Sequence, residues 1–244
     1  ERDRLVPRSP TRRVFMTVAD IARRIQHTNV RPDTTQADIE RLLAECVEHD
    51  FHAAVISPIW LARAVKALGG TGVRVCTALD VPLGGETTAT VVRAAAEARH
   101  AGAEEIDVMA KVGWLRSEMD IAYRMHLAAV VGAADGAPVK AVLETAMLSK
   151  GEVALAVELC ADAGVSYLKN ASGLNRGEAS PEIVRDLVRL ARGRMKVKAS
   201  GGIRTLEGAQ ALVAAGADLI GTSAGVEILS REAGDSRAEA AVAS

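Results

Sequence analysis

Ala101-Gly102-Ala103-Glu104-Glu105-Ile106, Ala163-Gly164-Val165-Ser166-Tyr167-Leu168 and Ala215-Gly216-Ala217-Asp218-Leu219-Ile220 are one phrase written three times in a chain of 244 residues. In each copy an amphipathic helical pattern runs up to the glycine, and a short apolar strand follows it. Glycine takes the left-handed conformation that closes a helix at low steric cost. A repeated helix–Gly–strand unit implies alternating α and β elements and a parallel sheet.

Working outward from these phrases, strands are expected at 25–29, 53–57, 74–78, 105–109, 140–144, 166–169, 196–199 and 218–221. Helical patterns fill the gaps at 38–48, 59–68, 87–100, 118–134, 152–163, 181–191 and 206–215. Thr35 with Asp38 three residues on is a variant of the capping box. Pro181 falls in a first helical turn, where its missing N–H costs nothing. Eight strands at short spacing predict an α/β fold, a TIM (β/α)8 barrel in a single domain over 1–244. The competing arrangement is an open doubly wound sheet. It usually carries G-x-G-x-x-G after an early strand, and no such run is present. Residues 1–13, rich in arginine, read as a flexible lead without the apolar core of a secretory signal. Residues 231–244 read as a frayed or disordered tail.

A 49% hydrophobic, 25% charged composition suits a globular protein with a sizeable core. The net charge of −1 gives no basic surface for nucleic acid or an anionic membrane. Aromatics at 2% leave little for stacking bases. No apolar stretch reaches the ~18 residues of a membrane span. Cys46, Cys76 and Cys160 are odd in number and widely spaced, which fits reduced thiols, core packing and a cytoplasmic location.

Chemistry in such a barrel sits at the C-terminal ends of strands, a rule that selects Asp107, Glu144, Lys169 and Lys198. Asp107 and Met109 share one strand face, while Ile106 and Val108 suit the helix-facing side, so Asp107 is expected inside. Each of these charges alone reads as a rim ion pair. Together, two lysines and an aspartate in apolar strands read as a site, because charges inside a barrel are expensive unless paired. A free lysine with a pKa of ~10.4 is neutral in only about one molecule in 2,500 at pH 7. Crowding of the two ammonium groups, with partial burial, would bring one of the two lysines toward ~7 and make it a nucleophile for carbonyls. Gly201-Gly202 and Gly221-Thr222-Ser223-Ala224-Gly225 follow the last two strands. Small residues there let backbone N–H groups approach a phosphate, and a short helix near Gly225 would aim its dipole at it. The alternative is that these glycines only make tight turns.

His27 ends the first strand and is able to line a pocket. His49, His52, His100 and His126 are expected at the surface. No histidine pair has metal-ligand spacing, so no metal and no cofactor are expected. Trp60 and Trp114 read as packing or interface residues.

Val75-Cys76-Thr77-Ala78 with Pro82-Leu83-Gly84, Glu105-Ile106-Asp107-Val108, Leu143-Glu144-Thr145, Val197 to Thr205 and Ile220 to Gly225 resemble the 2-deoxyribose-5-phosphate aldolases from about Ile25 to Leu229. The resemblance implies a class I aldolase. Lys169 would form the Schiff base, Lys198 would lower its pKa, and Asp107 would relay protons. Ser172, Gly173, Gly201, Gly202, Ser223 and Thr28 would hold substrate and phosphate, and the partner would be a phosphorylated sugar or aldehyde. By analogy with barrels of this size, a homodimer is expected.

The chain departs from the family near the chemistry. Gln26 replaces the Asp of Asp-His-Thr. Val55 and Ser57 stand where Cys and Asn are frequent. Lys111 stands at a frequent Asn, and Asn170 begins Asn-Ala-Ser-Gly in place of Thr-Ser-Thr-Gly. The C-terminal tyrosine that some members use is absent from Ala243-Ser244. Losing Asp at Gln26 and gaining Lys111, if it reaches the cavity, would favour a more anionic substrate. Ser57 and Asn170 are further candidates for specificity. The residues leave open a diverged aldolase, another enamine reaction on the same lysine, and a non-catalytic phosphosugar-binding relative.

Overall fold

A computed structural model describes residues 16–230. The expectations for 1–13 and 231–244 lie outside the described residues. Eight parallel strands close a barrel in sequence order: β1 (Ile25–Asn29), β2 (Ala53–Ile56), β3 (Arg74–Leu79), β4 (Glu105–Met109), β5 (Val139–Val142), β6 (Tyr167–Lys169), β7 (Lys196–Ser200) and β8 (Leu219–Thr222). Around it run α1 (Val18–Ala22), α2 (Gln36–Glu48), α3 (Leu61–Leu68), α4 (Thr88–His100), α5 (Val112–Arg116), α6 (Asp120–Ala133), α7 (Lys150–Asp162), α8 (Pro181–Ala191) and α9 (Leu206–Ala214). Residues 225–230 add the short helix expected after β8.

The repeated phrase works as the sequence implies. Gly102, Gly164 and Gly216 have φ of 99°, 80° and 108°. The next N–H in each copy reaches back to the last helical turn: Ala103 to Ala98 O, Val165 to Cys160 O and Ala217 to Leu212 O, each 3.0 Å. That is the Schellman closure, which satisfies helix-end carbonyls and aims the chain into the next strand. Two elements differ. The 118–134 pattern forms α6, but α5, which the sequence pattern did not mark, precedes it, and Glu118 at φ 57° separates the two. The 59–68 pattern begins as a 3-10 turn at Pro58–Trp60 before α3.

The main core lies between strands and helices, where Ile106, Val108, Leu168 and Ile220 are buried. Inside the barrel the apolar cluster is small, Ala53, Val55 and Cys76. Barrel interiors are usually layers of branched aliphatics. Here Glu105, Asp107, Lys140, Lys169 and Lys198 are buried as well.

Candidate active site

Asp107 is the hub. It alternates inward on β4, pairs with Lys140 in register and is fully buried. Its Oδ2 accepts from Lys169 Nζ at 2.9 Å and from Lys198 Nζ at 2.7 Å. Lys169 and Lys198 are register partners on β6 and β7, so both ammonium groups converge on one oxygen. Oδ1 lies 3.1 Å from Lys140 Nζ and 3.4 Å from Cys76 Sγ. Lys140 in turn contacts Glu105 Oε2 at 2.7 Å. Two carboxylates therefore face three amines inside the barrel.

Burial would raise the Asp107 carboxyl, but Lys169, Lys198 and Lys140 outweigh it and hold the group well below the carboxylate range. Glu105 is likewise pulled down against burial, by the His52 hydrogen bond and Lys140. Lys140 is pushed above the lysine range despite burial, by Cys76, Asp107 and Glu105. One surplus amine remains. Burial, opposed by Asp107 and reinforced by Lys169 and Lys140, brings Lys198 down to about 8. The lowered value thus falls on Lys198, where the resemblance implied it for Lys169. The shared oxygen still joins the two amines.

Lys169 faces a cavity of about 440 Å³. Ser172, Gly173, Gly201, Gly202, Ser223 and Thr28 all line it, and so does His27. Gly201 and Gly202 have φ of 100° and 73°. A Cβ on Gly201 would meet Gly177 O at 2.7 Å, so the loop is built on the absence of a side chain. Gly221 matters for another reason: a Cβ there would meet Lys198 Cε at 2.8 Å. Glu144 does not line the cavity. Its Oε1 accepts from Ser172 N at 3.0 Å and Asn175 Nδ2 at 3.2 Å, which fixes the loop after β6.

Four specificity candidates are corrected. Gln26 is buried inside the barrel and donates to Glu105 Oε2 at 2.6 Å. Lys111 does not line the cavity. Its Nζ pairs with Asp80, which is buried with it, and donates to Gly84 O at 3.0 Å and Glu86 O at 2.6 Å. A buried ammonium needs such partners, and they spend it on the β3–α4 loop. Ser57 precedes the Pro58–Trp60 turn, outside the cavity. Asn170 mimics a backbone strand: Nδ2 donates to Ser200 O at 3.0 Å and Oδ1 accepts from Ser200 N at 2.8 Å. Asn170→Ala is therefore expected to cost about 2–3 kcal/mol for two buried hydrogen bonds, seen as a lower melting temperature, with substrate KM within about two-fold. A large KM change at unaltered melting would return Asn170 to the cavity.

Two histidines also differ from expectation. His126 is buried, with Nδ1 3.1 Å from Thr88 Oγ1; burial and Lys111 lower it to about 4, against Asp80. His52 is half-buried, its Nε2 2.8 Å from Glu105 Oε1. Sequence reasoning passed over Lys140 and Glu105. The signal was present, because Glu105 is two residues before Asp107 and Lys140 is a lone charge in the apolar strand Val139-Lys140-Ala141-Val142. The cysteine expectation holds: Cys46, Cys76 and Cys160 are buried and free. Among the described residues there is no His/Cys/Asp/Glu group able to hold a metal, and no helix is long and apolar enough to cross a membrane.

A closed (β/α)8 barrel in which Lys169 lines a Gly-walled cavity and shares one carboxylate oxygen with the buried Lys198 fits a lyase of the aldolase class. Residues 25–231 match the description "DeoC/LacD family aldolase", and the chain belongs to that family. It is 43% identical over 210 residues to a deoxyribose-phosphate aldolase of Thermosynechococcus vestitus, covering 86% of this chain and 96% of the relative. A solved Coccidioides immitis structure, described as a candidate deoxyribose-phosphate aldolase, aligns with TM-score 0.87 at 34% identity, over 89% of this chain and 87% of that one. The deoxyribose phosphate aldolase of Aeropyrum pernix, described as a tetramer, aligns with TM-score 0.82 at 32% identity, over 88% and 91%.

Proposed function

We propose that this protein cleaves 2-deoxyribose 5-phosphate reversibly to glyceraldehyde 3-phosphate and acetaldehyde, through an imine on Lys169. The observation that carries the reading is the single Asp107 oxygen shared by Lys169 at 2.9 Å and Lys198 at 2.7 Å. Two amines on one carboxylate cannot both keep their protons through the neutral range at the usual cost. The pair is short of one proton, and the reactive form is the one in which the amine at Lys169 is free and Lys198 carries the charge.

The free amine of Lys169 attacks C1 of the open-chain sugar, and loss of water gives the iminium. Removal of the C3 hydroxyl proton breaks the C2–C3 bond, its electrons passing to the iminium nitrogen as glyceraldehyde 3-phosphate leaves. The resulting enamine takes a proton at C2, and water releases acetaldehyde from Lys169. Asp107 and Lys198 hold and return the protons. The phosphate is assigned to Ser172, Gly173, Gly201, Gly202 and Ser223, with Thr28 opposite, because backbone N–H groups of Gly-rich loops suit an anion. Gln26 and Lys111 do not alter the cavity's charge, which favours this substrate over a more acidic one.

The expected result is borohydride trapping of acetaldehyde on Lys169, read by peptide mass. Its rate should climb with pH and level off above about 8, once the Lys169–Lys198 pair has given up one proton. Triose phosphate should form from deoxyribose 5-phosphate. An unmodified Lys169 peptide under saturating donor contradicts the reading; a trapped lysine without triose phosphate points to another enamine reaction.

A further inference from the structure

Lys140 and Glu105 take no part in the chemistry above, yet they occupy the middle of the barrel. Both are almost completely enclosed. Glu105 Oε1, at the end of the barrel opposite the cavity, meets His52 Nε2 at 2.8 Å and Arg74 Nη1 at 3.1 Å. Its Oε2 meets Lys140 Nζ at 2.7 Å, and Lys140 reaches on to Asp107 Oδ1 at 3.1 Å. Alternating charge thus runs along the axis from the far mouth to the lysine pair.

A buried ion pair adds little stability over well-packed apolar side chains of the same volume. An aliphatic layer would fill this space as well. What the pair does is electrostatic. Lys140 grips Oδ1 of Asp107 and leaves only Oδ2 for Lys169 and Lys198. Glu105 cancels the charge of Lys140, so Asp107 still counts as one full negative charge for the two amines. The other groups facing Lys140 do not carry charge: Cys76 Sγ is 3.4 Å away, its thiol pushed up to about 12 by burial and then by Asp107, and the Tyr167 ring centroid is 5.8 Å away. Lys196 Nζ, on the exposed first residue of β7, lies 5.7 Å from that same ring.

We infer that Glu105 and Lys140 are positioning residues that set the proton affinity of the Lys169–Lys198 pair by fixing the charge count around Asp107. This rests on the Schiff-base reading. Removing either partner should move the pair in opposite directions, because each removal leaves an opposite uncancelled charge.

The test is the pH profile of borohydride trapping on Lys169 with acetaldehyde, in folded variants checked by circular dichroism. Lys140→Met leaves an extra negative charge, and its midpoint is expected to rise by about one pH unit, roughly a ten-fold slower trapping at pH 7. Glu105→Gln leaves an extra positive charge, and its midpoint is expected to fall by about as much. The double variant restores the count and should return to within about 0.3 units of the parent. A purely structural role would slow trapping equally at every pH, and the double variant would be no better than either single. Fixed midpoints, or a double variant without restoration, overturn the inference. Should Lys140→Met fail to fold, the near-isosteric Glu105→Gln decides alone, and an unmoved midpoint counts against it. Absence of any adduct in the parent protein overturns the Schiff-base reading itself, and this inference with it.

Discussion

Asp107→Asn is expected to lose at least about a thousand-fold in turnover and to melt roughly 10 °C lower at pH 7. The side chain keeps its size, so no cavity forms. What goes is the one negative charge that Lys169, Lys198 and Lys140 all approach within 3.1 Å. Three ammonium groups would then face Glu105 alone. Uncompensated buried charge costs about 3–5 kcal/mol, and a domain of this size shifts by about 2–4 °C per kcal/mol.

The pH dependence has a definite sign. Asp107 binds its proton more weakly when folded than when unfolded. Its stabilisation is therefore fully present above the unfolded carboxylate range and is lost as pH falls through the much lower folded value. In the asparagine variant that contribution is missing at every pH, so the melting difference between the two proteins should be constant from pH 5 to 8 as far as this group is concerned. Thermal melts across that range, with Lys169 trapping at each pH, check both halves. A variant that melts like the parent would mean that the buried charges are balanced elsewhere.

The barrel was legible where its geometry depends on residue type. Three helix ends could be read because only glycine closes them cheaply. A fourth was hidden. At the end of α2, Asp50 takes φ 52° and Phe51 N reaches Cys46 O at 3.0 Å, the same closure without a glycine to mark it. Inward and outward faces of β4 followed from alternation, and Asp107 is where that placed it. Partners were not legible. Lys111 and Lys169 look alike in sequence, each a lysine in phase with the inner face of its strand. Asp80 takes one and Asp107 the other, and both are distant in the chain. The rule that chemistry sits at strand ends also hid Lys140 and Glu105, which lie deeper in the barrel and act on the site from below. His52 and His126 were assigned to the surface because helix-adjacent position says nothing of what packs on top.

Lys198→Met is expected to abolish activity and yet raise stability at pH 7. Lys198 is entirely enclosed, and its ammonium is the surplus charge: burial and two neighbouring cations outweigh Asp107 and lower it from 10.5 to about 8. Keeping that proton in the folded protein at pH 7 costs about 3 kcal/mol. Methionine has a similar length and balances the interior at two carboxylates and two amines. Asp107 loses one partner but keeps Lys169 and Lys140, so a net gain of about 1–3 kcal/mol remains. Unlike a group strengthened by folding, this lysine binds its proton less well when folded. Its penalty is therefore complete below about 8 and fades as pH rises toward the unfolded value of 10.5. Melting curves of the two proteins should accordingly differ most near pH 7 and converge near pH 10. If the methionine variant melts lower at pH 7, Lys198 is a structural ion-pair partner and the crowding that frees an amine for Lys169 chemistry does not exist.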